Sequence, residues 1–243
     1  MRKTKNADYM NENANYDQIK KNTVKADNQL KSSEYISFEN LSSTGIRILF
    51  LGNSITRHGI ATQIGWNHDW GMAASAKEND YVHQLISQMQ CAGMDPASCI
   101  CQVSKWEREY SCATEELYKA YEEARNFHAD IIIQRFIENC SMEDWDSEIF
   151  QKEMERLLTY VNPSGKAKVI MTTSFWHHVG DDALLEFSKE HKIPLVELGD
   201  LGEQDKMKAI GEFEHDGVAA HPGDEGMKKI AERIFEQICK VGF

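Results

Sequence analysis

Short apolar runs alternate along this chain with longer segments in which apolar residues recur at helical spacing. The runs occupy residues 48–51, 98–103, 130–134, 168–173 and 193–198. A continuous apolar run is typical of a parallel strand that is covered on both faces. The intervening segments place apolar residues three and four positions apart, which favours amphipathic helices. This alternation predicts a three-layer α/β/α sandwich around a five-stranded parallel sheet.

The length of the chain fits one such domain. It has 243 residues, of which 41% are hydrophobic and 27% charged, and a single α/β core can account for this size. We place the domain at residues 46–243. Residues 1–45 are polar and end in a linker-like segment at 40–45. This first segment is either a disordered tail or an arm, and an arm can pack on its own domain or link subunits of a homo-oligomer.

Charge and composition argue against several partners. The net charge is −12, so the average field repels nucleic acid. No stretch approaches the roughly twenty apolar residues of a membrane span, and the basic start has no apolar core of a secretory signal behind it. The six cysteines form no paired Cys-x-x-Cys units, which argues against structural zinc and suits a reducing compartment. If Met1 is the natural start, we expect a cytoplasmic protein.

The first apolar run ends in Gly52-Asn53-Ser54. Glycine allows the backbone to turn sharply after a strand, and open α/β sheets build their sites at the carboxyl ends of their strands. Ser54 is therefore a candidate nucleophile at the mouth of a crevice. The alternative is that Ser54 only caps the next helix.

A second motif lies near the C-terminus, where His221-Pro222 leads into a strongly amphipathic helix. Together with Gly52-Asn53-Ser54, it resembles the SGNH (GDSL-type) hydrolases, from about Arg47 to the end of the chain. The resemblance implies a flavodoxin-like strand order 2-1-3-4-5, with Ser54 as nucleophile and His221 as general base. Histidine suits that role because it titrates near neutral pH.

The resemblance also implies an oxyanion hole made by Ser54, Gly71 and Asn139. Gly71 is the candidate for the second block of the family. Asn139 is what remains of its third block, Gly-x-Asn-Asp, because Ile137 and Cys140 replace the glycine and the aspartate. The alternative for Asn139 is a residue that merely forms a turn.

The residue that orients His221 is less clear. The aspartate of the family lies three residues before the histidine, where this chain has Val218. We favour Asp216, five residues before it, as the third catalytic residue. Glu214 or a backbone carbonyl are the alternatives.

Tryptophans in the predicted strand-end loops suggest the substrate. Flat aromatic rings favour a sugar or another flat apolar molecule, although rings that only plug a loop onto the sheet are the alternative. With the neighbour of the nucleophile included, the candidate substrate-binding residues are Asn53, Trp66, Trp70, Trp106 and Trp176.

These features together predict a serine esterase that cleaves a small, acetyl-like acyl ester from a carbohydrate. The predicted mechanism needs no metal and no cofactor. Two alternatives belong to other classes of protein. One is a catalytically silent, SGNH-like sugar-binding protein. The other is a flavodoxin-like module in which Ser54 holds a phosphate or another ligand at a helix N-terminus.

Overall fold

The structure is a computed structural model that describes residues 30–242. Its sheet has six strands in the order β1-β3-β2-β4-β5-β6. The strands are β1 Ile36–Glu39, β2 Arg47–Gly52, β3 Ala97–Gln102, β4 Ile131–Arg135, β5 Lys168–Thr172 and β6 Leu195–Val196. Strands β2 to β6 are parallel. Counted from β2, their order is the predicted 2-1-3-4-5, so the parallel topology is confirmed.

Helices connect these strands and cover both faces of the sheet. They are α1 Tyr81–Cys91, α2 Ser104–Glu109, α3 Glu115–Lys119, α4 Glu122–Asn126, α5 Ser147–Val161, α6 Asp181–His191, α7 Gly199–Gly202, α8 Asp216–Ala219 and α9 Asp224–Lys240. Most of the predicted helices are present. The helix expected from Thr114 onward is divided into α3 and α4, and the short helix α2 was not predicted.

The sixth strand corrects the predicted strand count. Strand β1 pairs antiparallel with β3, with Phe38 opposite Cys99, and Ile36 is fully buried. The sheet therefore begins inside the segment 1–45 that the sequence analysis separated from the domain. A four-residue strand carries too few positions for a recognisable pattern. An arm that links subunits through residues 1–29 lies outside the described residues.

The core lies on both faces of the sheet. Alternate residues of β2 point to opposite sides: Leu49 and Leu51 join the cluster that contains α5, whereas Ile48 and Phe50 join the one that contains α1 and α9. Burial on both faces explains why β2 is a continuous apolar run. Between residues 30 and 242, no helix has the length and apolar content needed to cross a bilayer.

Candidate active site

Ser54 lies just beyond the carboxyl end of β2. The chain turns there, because the N–H groups of Thr56 and Arg57 both donate to the Asn53 carbonyl, at 2.9 and 3.0 Å. A Cβ at position 52 would overlap the Thr56 side chain, so Gly52 is required for this close turn. Ser54 is thereby fixed at the strand end and remains half-buried.

His221 lies directly opposite Ser54. Its Nε2 atom is 2.7 Å from the Ser54 hydroxyl oxygen, although the two residues are 167 positions apart. The His221 carbonyl accepts a hydrogen bond from Ala209 N–H at 3.0 Å, and Pro222 leads into α9, which packs on the sheet. The predicted meeting of Ser54 and His221 at the top of the sheet is therefore present in the structure.

A backbone carbonyl, and not Asp216, orients the His221 ring. Nδ1 of His221 is 2.6 Å from the Gly217 carbonyl oxygen. The short helix α8 leaves this carbonyl available. His221 N–H donates to the Val218 carbonyl oxygen at 3.0 Å, so the Gly217 carbonyl oxygen is left for the ring. The Asp216 side chain is exposed at the start of α8. The favoured assignment of Asp216 is thus wrong, and the backbone-carbonyl alternative is the one observed.

The hydrogen bond to Gly217 also fixes which ring nitrogen carries the proton. A carbonyl can only accept, so Nδ1 must donate, and Nε2 then presents its lone pair to the Ser54 hydroxyl. Burial lowers the pKa of His221 to about 4, and the charge of Arg135 acts in the same direction. His221 is therefore neutral, and able to accept a proton, over the whole physiological pH range.

Gly71 does not belong to the oxyanion hole. Its N–H donates to the buried carboxylate of Asp80 at 3.0 Å and so has no proton to offer to a substrate. Asp80 also accepts from His83 Nδ1 at 2.7 Å. Although burial acts against the charged ring, the hydrogen bonds to Asp80 and Glu39 raise the pKa of His83 to about 9. Gly71 N–H is therefore bound within the ionic cluster that Asp80 forms with His83 and Glu39.

Asn139 does lie at the site, in the turn that follows β4, where it borders the same cavity as Ser54 and His221. Its side-chain Nδ2 donates to Glu107 Oε2 at 2.6 Å. An amide nitrogen carries two protons, so one remains for another acceptor. Asn139 therefore keeps the donor that an oxyanion hole needs.

Asn53 has a structural position instead of the predicted contact with substrate. It is 1% exposed. Its Nδ2 donates to Glu138 at 2.6 Å and to Glu107 at 3.0 Å, while its Oδ1 accepts from Arg135 at 2.9 Å. Both polar atoms of its side chain are occupied beneath Ser54. The residue before Ser54 points into the protein, because successive side chains diverge at the strand end.

The four predicted substrate-binding tryptophans do not line the cavity next to Ser54. Trp66 and Trp106 are fully buried. Trp70 donates to the Ala74 carbonyl at 3.0 Å, and Trp176 donates to the Ala220 carbonyl at 3.1 Å. The Trp176 ring also meets His221 edge to face at 4.9 Å. Trp66 and Trp70 pack within their own loop cluster, and packing of this loop was the alternative considered for these two. Trp106 lies in α2 and belongs to the core.

The cavity has a volume of about 630 Å³, within the range of small-molecule sites. Its lining mixes apolar side chains with polar and charged ones. The apolar residues include Ile60, Ile64, Met72 and Val218, and the polar or charged residues include Arg57, His58, Gln102, Ser104, Lys105, Arg108 and Glu109. Ser54 and His221 also border this cavity, so a ligand can reach them.

Comparison with solved structures shows what the chain is similar to. A two-domain esterase active on acetylated mannans superposes with a TM-score of 0.52 and 16% identity, over 81% of this chain and 50% of that one. A member of the lipolytic G-D-S-L family from Veillonella parvula gives 0.50 and 15%, over 78% and 96%. No sequence-family model and no curated protein matches the chain.

The fold is that of the SGNH (GDSL-type) hydrolases. This chain spans half the length of the mannan esterase. A salicylyl-acyltransferase from a tetracycline biosynthetic pathway also superposes, with a TM-score of 0.50 and 13% identity over 83% of this chain and 57% of that one. At these identities the likeness concerns the fold alone.

The sequence analysis missed two residues of this candidate site. Ser104 is the first residue of α2 and borders the cavity. Strands β2 and β3 are in register, with Gly52 beside Gln102, so Ser104 follows its strand as Ser54 follows β2. This equal spacing of a serine after two neighbouring strands is the sequence signal that could have identified Ser104. The other is Glu107, which is fully buried behind Asn139. No pattern in the sequence marks it, because glutamate in a short helix is usually exposed.

Proposed function

We propose that this chain is a serine esterase that removes a small acyl group, such as acetyl, from a carbohydrate. The observation that carries the proposal is the 2.7 Å contact between Ser54 Oγ and His221 Nε2 at the edge of an open cavity. A serine hydroxyl becomes a useful nucleophile when a neighbouring base removes its proton. The neutral His221, with its lone pair towards Ser54, is such a base.

The reaction has two halves, acylation of Ser54 and its deacylation by water, and each half uses two proton transfers through His221. Ser54 Oγ attacks the ester carbonyl carbon as its proton moves to His221 Nε2. The tetrahedral intermediate collapses, the carbon–oxygen bond to the alcohol breaks, and Nε2–H protonates the departing oxygen. Water then attacks the acyl group on Ser54 in the same way, His221 accepts its proton, and the proton returns to Ser54 as the acid leaves. The carbonyl dipole of Gly217 stabilises the imidazolium in both halves.

Three donors are available for the negative oxygen of the tetrahedral intermediate. Among residues 30–242, the N–H groups of Ser54 and Ser104 have no hydrogen-bond acceptor, and Asn139 has its second amide proton. All three residues border the cavity. We assign the oxyanion hole to Ser54 N–H, Ser104 N–H and Asn139 Nδ2, so that Ser104 takes the place predicted for Gly71. Donors of this kind stabilise the charge that develops in the transition state.

The choice of a carbohydrate substrate has two supports. The polar residues of the lining, such as Gln102, Lys105, Arg108 and Glu109, offer donors and acceptors for hydroxyl groups, and its apolar residues suit a short acyl chain. The mannan esterase that shares the fold acts on acetylated mannans. The intact pair of Ser54 and His221 favours catalysis over the alternative of a silent sugar-binding protein.

Replacement of Ser54 tests the reaction class. We expect the wild type to hydrolyse p-nitrophenyl acetate and to release acetate from acetylated mannooligosaccharides. Ser54→Ala should lower kcat by about 10⁴ or more and abolish labelling by a fluorophosphonate probe. Ser87→Ala is the matched control, since Ser87 is exposed on α1. Turnover that survives in Ser54→Ala would contradict the esterase assignment.

A further inference from the structure

A fully buried carboxylate lies behind the oxyanion hole. Glu107 is on α2, the helix that begins at Ser104, and its side chain is 0% exposed. Burial raises its pKa, as does the negative charge of Glu138, while hydrogen bonds from Asn139 and Asn53 act in the opposite direction. A carboxylate in this position needs close hydrogen-bond donors to remain in the interior.

The donors around Glu107 come from both strand-end turns of the site. Oε1 accepts from Asn53 Nδ2 at 3.0 Å and from the backbone N–H groups of Ile137 and Asn139 at 2.7 and 3.3 Å. Oε2 accepts from Asn139 Nδ2 at 2.6 Å. Glu107 therefore connects the residue before Ser54 to the turn that carries Asn139.

The hydrogen bond to Oε2 decides which way the Asn139 amide faces. The nitrogen and oxygen of an asparagine amide are nearly equal in size, so a half-turn about its last bond exchanges donor and acceptor at little steric cost. A carboxylate only accepts and therefore selects the nitrogen. The second proton of that nitrogen remains for the cavity. After a half-turn the carbonyl oxygen would face the carboxylate, and two acceptors would repel each other.

We propose that Glu107 is a positioning residue that keeps the Asn139 amide turned so that it donates to the oxyanion. This role rests on the proposed function, because it acts through an Asn139 that stabilises the tetrahedral intermediate. Glu107 itself borders neither Ser54 Oγ nor the ring of His221. Its effect on the rate passes through Asn139.

A double-mutant cycle tests that dependence. In Glu107→Gln, the remaining oxygen keeps the three donors at the Oε1 position. The new NH2 group then takes the Oε2 position and faces Asn139 Nδ2, so the Asn139 amide turns to present its oxygen. We expect kcat to fall by about 10²–10³ with KM little changed, since this is the typical cost of losing one oxyanion donor. In an Asn139→Ala background the same change should lower kcat by less than about threefold. An equal loss in both backgrounds would overturn the proposal.

Glu138→Gln is the matched control. Glu138 is also almost fully buried, at 6% exposed, and accepts from Asn53 Nδ2 and Phe175 N–H at 2.6 and 2.9 Å. It makes no hydrogen bond to the Asn139 side chain among the residues that the structure describes. Glu138→Gln should therefore lower kcat by the same factor in the wild-type background and in the Asn139→Ala background. If instead only this variant couples to Asn139, Glu107 is not the positioning residue.

Side-chain amide NMR of the wild type provides a second readout that needs neither activity nor a folded Glu107 variant. With asparagine labelled by ¹⁵N, the two Asn139 amide protons should be well separated in chemical shift, and the one bound to Glu107 should exchange slowly with water. Ordinary, rapidly exchanging signals would overturn the proposal. Wild-type protein without Ser54-dependent turnover would instead reject the esterase assignment, while the amide signals still decide whether Glu107 holds Asn139.

Discussion

Ser54 lies on the sheet side of the site and His221 on the side formed by α8 and α9, and the two sides are held by different kinds of group. Below Ser54, Asn53 is bound by charged side chains that are almost wholly buried, namely Arg135, Glu138 and Glu107. The His221 ring is held by the carbonyl of Gly217. Side-chain chemistry therefore fixes Ser54, and the path of the backbone fixes the His221 ring.

The largest effect should come from breaking the buried network on the nucleophile side. Arg135 is 0% exposed and binds both Glu138 and Asn53. Arg135→Met leaves the Glu138 carboxylate buried without its cation, and we expect the free energy of unfolding to fall by about 3–5 kcal/mol. Urea denaturation followed by circular dichroism measures this loss.

The control for this comparison lies on α9, on the histidine side. Arg233 binds Asp200 through both oxygens at 2.5 and 2.7 Å, but the side chains are 33% and 55% exposed. Arg233→Met should therefore cost less than about 1 kcal/mol. Equal losses in the two variants would mean that the network below Ser54 has no special part in stability.

The second prediction concerns the pH at which the base is lost. Because burial lowers the pKa of His221 to about 4 from an ordinary 6.5, and because no carboxylate within residues 30–242 binds its ring, His221 stays neutral in mildly acidic solution. We expect kcat/KM for p-nitrophenyl acetate to hold from pH 7 down to about 5 and to decline near pH 4. Circular dichroism at each pH separates loss of the base from unfolding. A decline of kcat/KM that is already centred near pH 6.5 would contradict this prediction.

The smallest effect should come from Asp216. In a hydrolase whose histidine is oriented by an aspartate, replacing that residue by asparagine typically costs about 10⁴ in kcat. Here the Gly217 carbonyl has that position, so Asp216→Asn should change kcat by less than about twofold. A loss of several orders of magnitude would show that the Asp216 carboxylate reaches the ring during turnover and would remove the contrast between the two sides.

The parts of the site that follow from local pattern were predictable. Apolar runs identified the parallel strands, because burial on both faces leaves a continuous signal, and the two motifs located Ser54 and His221. The orienting group was not predictable, because any residue at position 217 supplies the same carbonyl. Trp66 and Trp106 show a second limit: aromatic rings suit both a binding surface and a core, and only the tertiary packing decides. Glu107 was missed because its burial depends on donors distant in sequence.

The carbonyl of Gly217 has a consequence for how such a protein changes over generations. A catalytic aspartate is lost by one nucleotide change, whereas a main-chain oxygen survives every substitution that preserves the bend of the short helix before His221. The orientation of the His221 ring is thus insensitive to point mutation at position 217 but sensitive to insertions and deletions between residues 216 and 221. Related chains are then better recognised by the spacing of that helical turn before His-Pro than by an acidic residue at any fixed position.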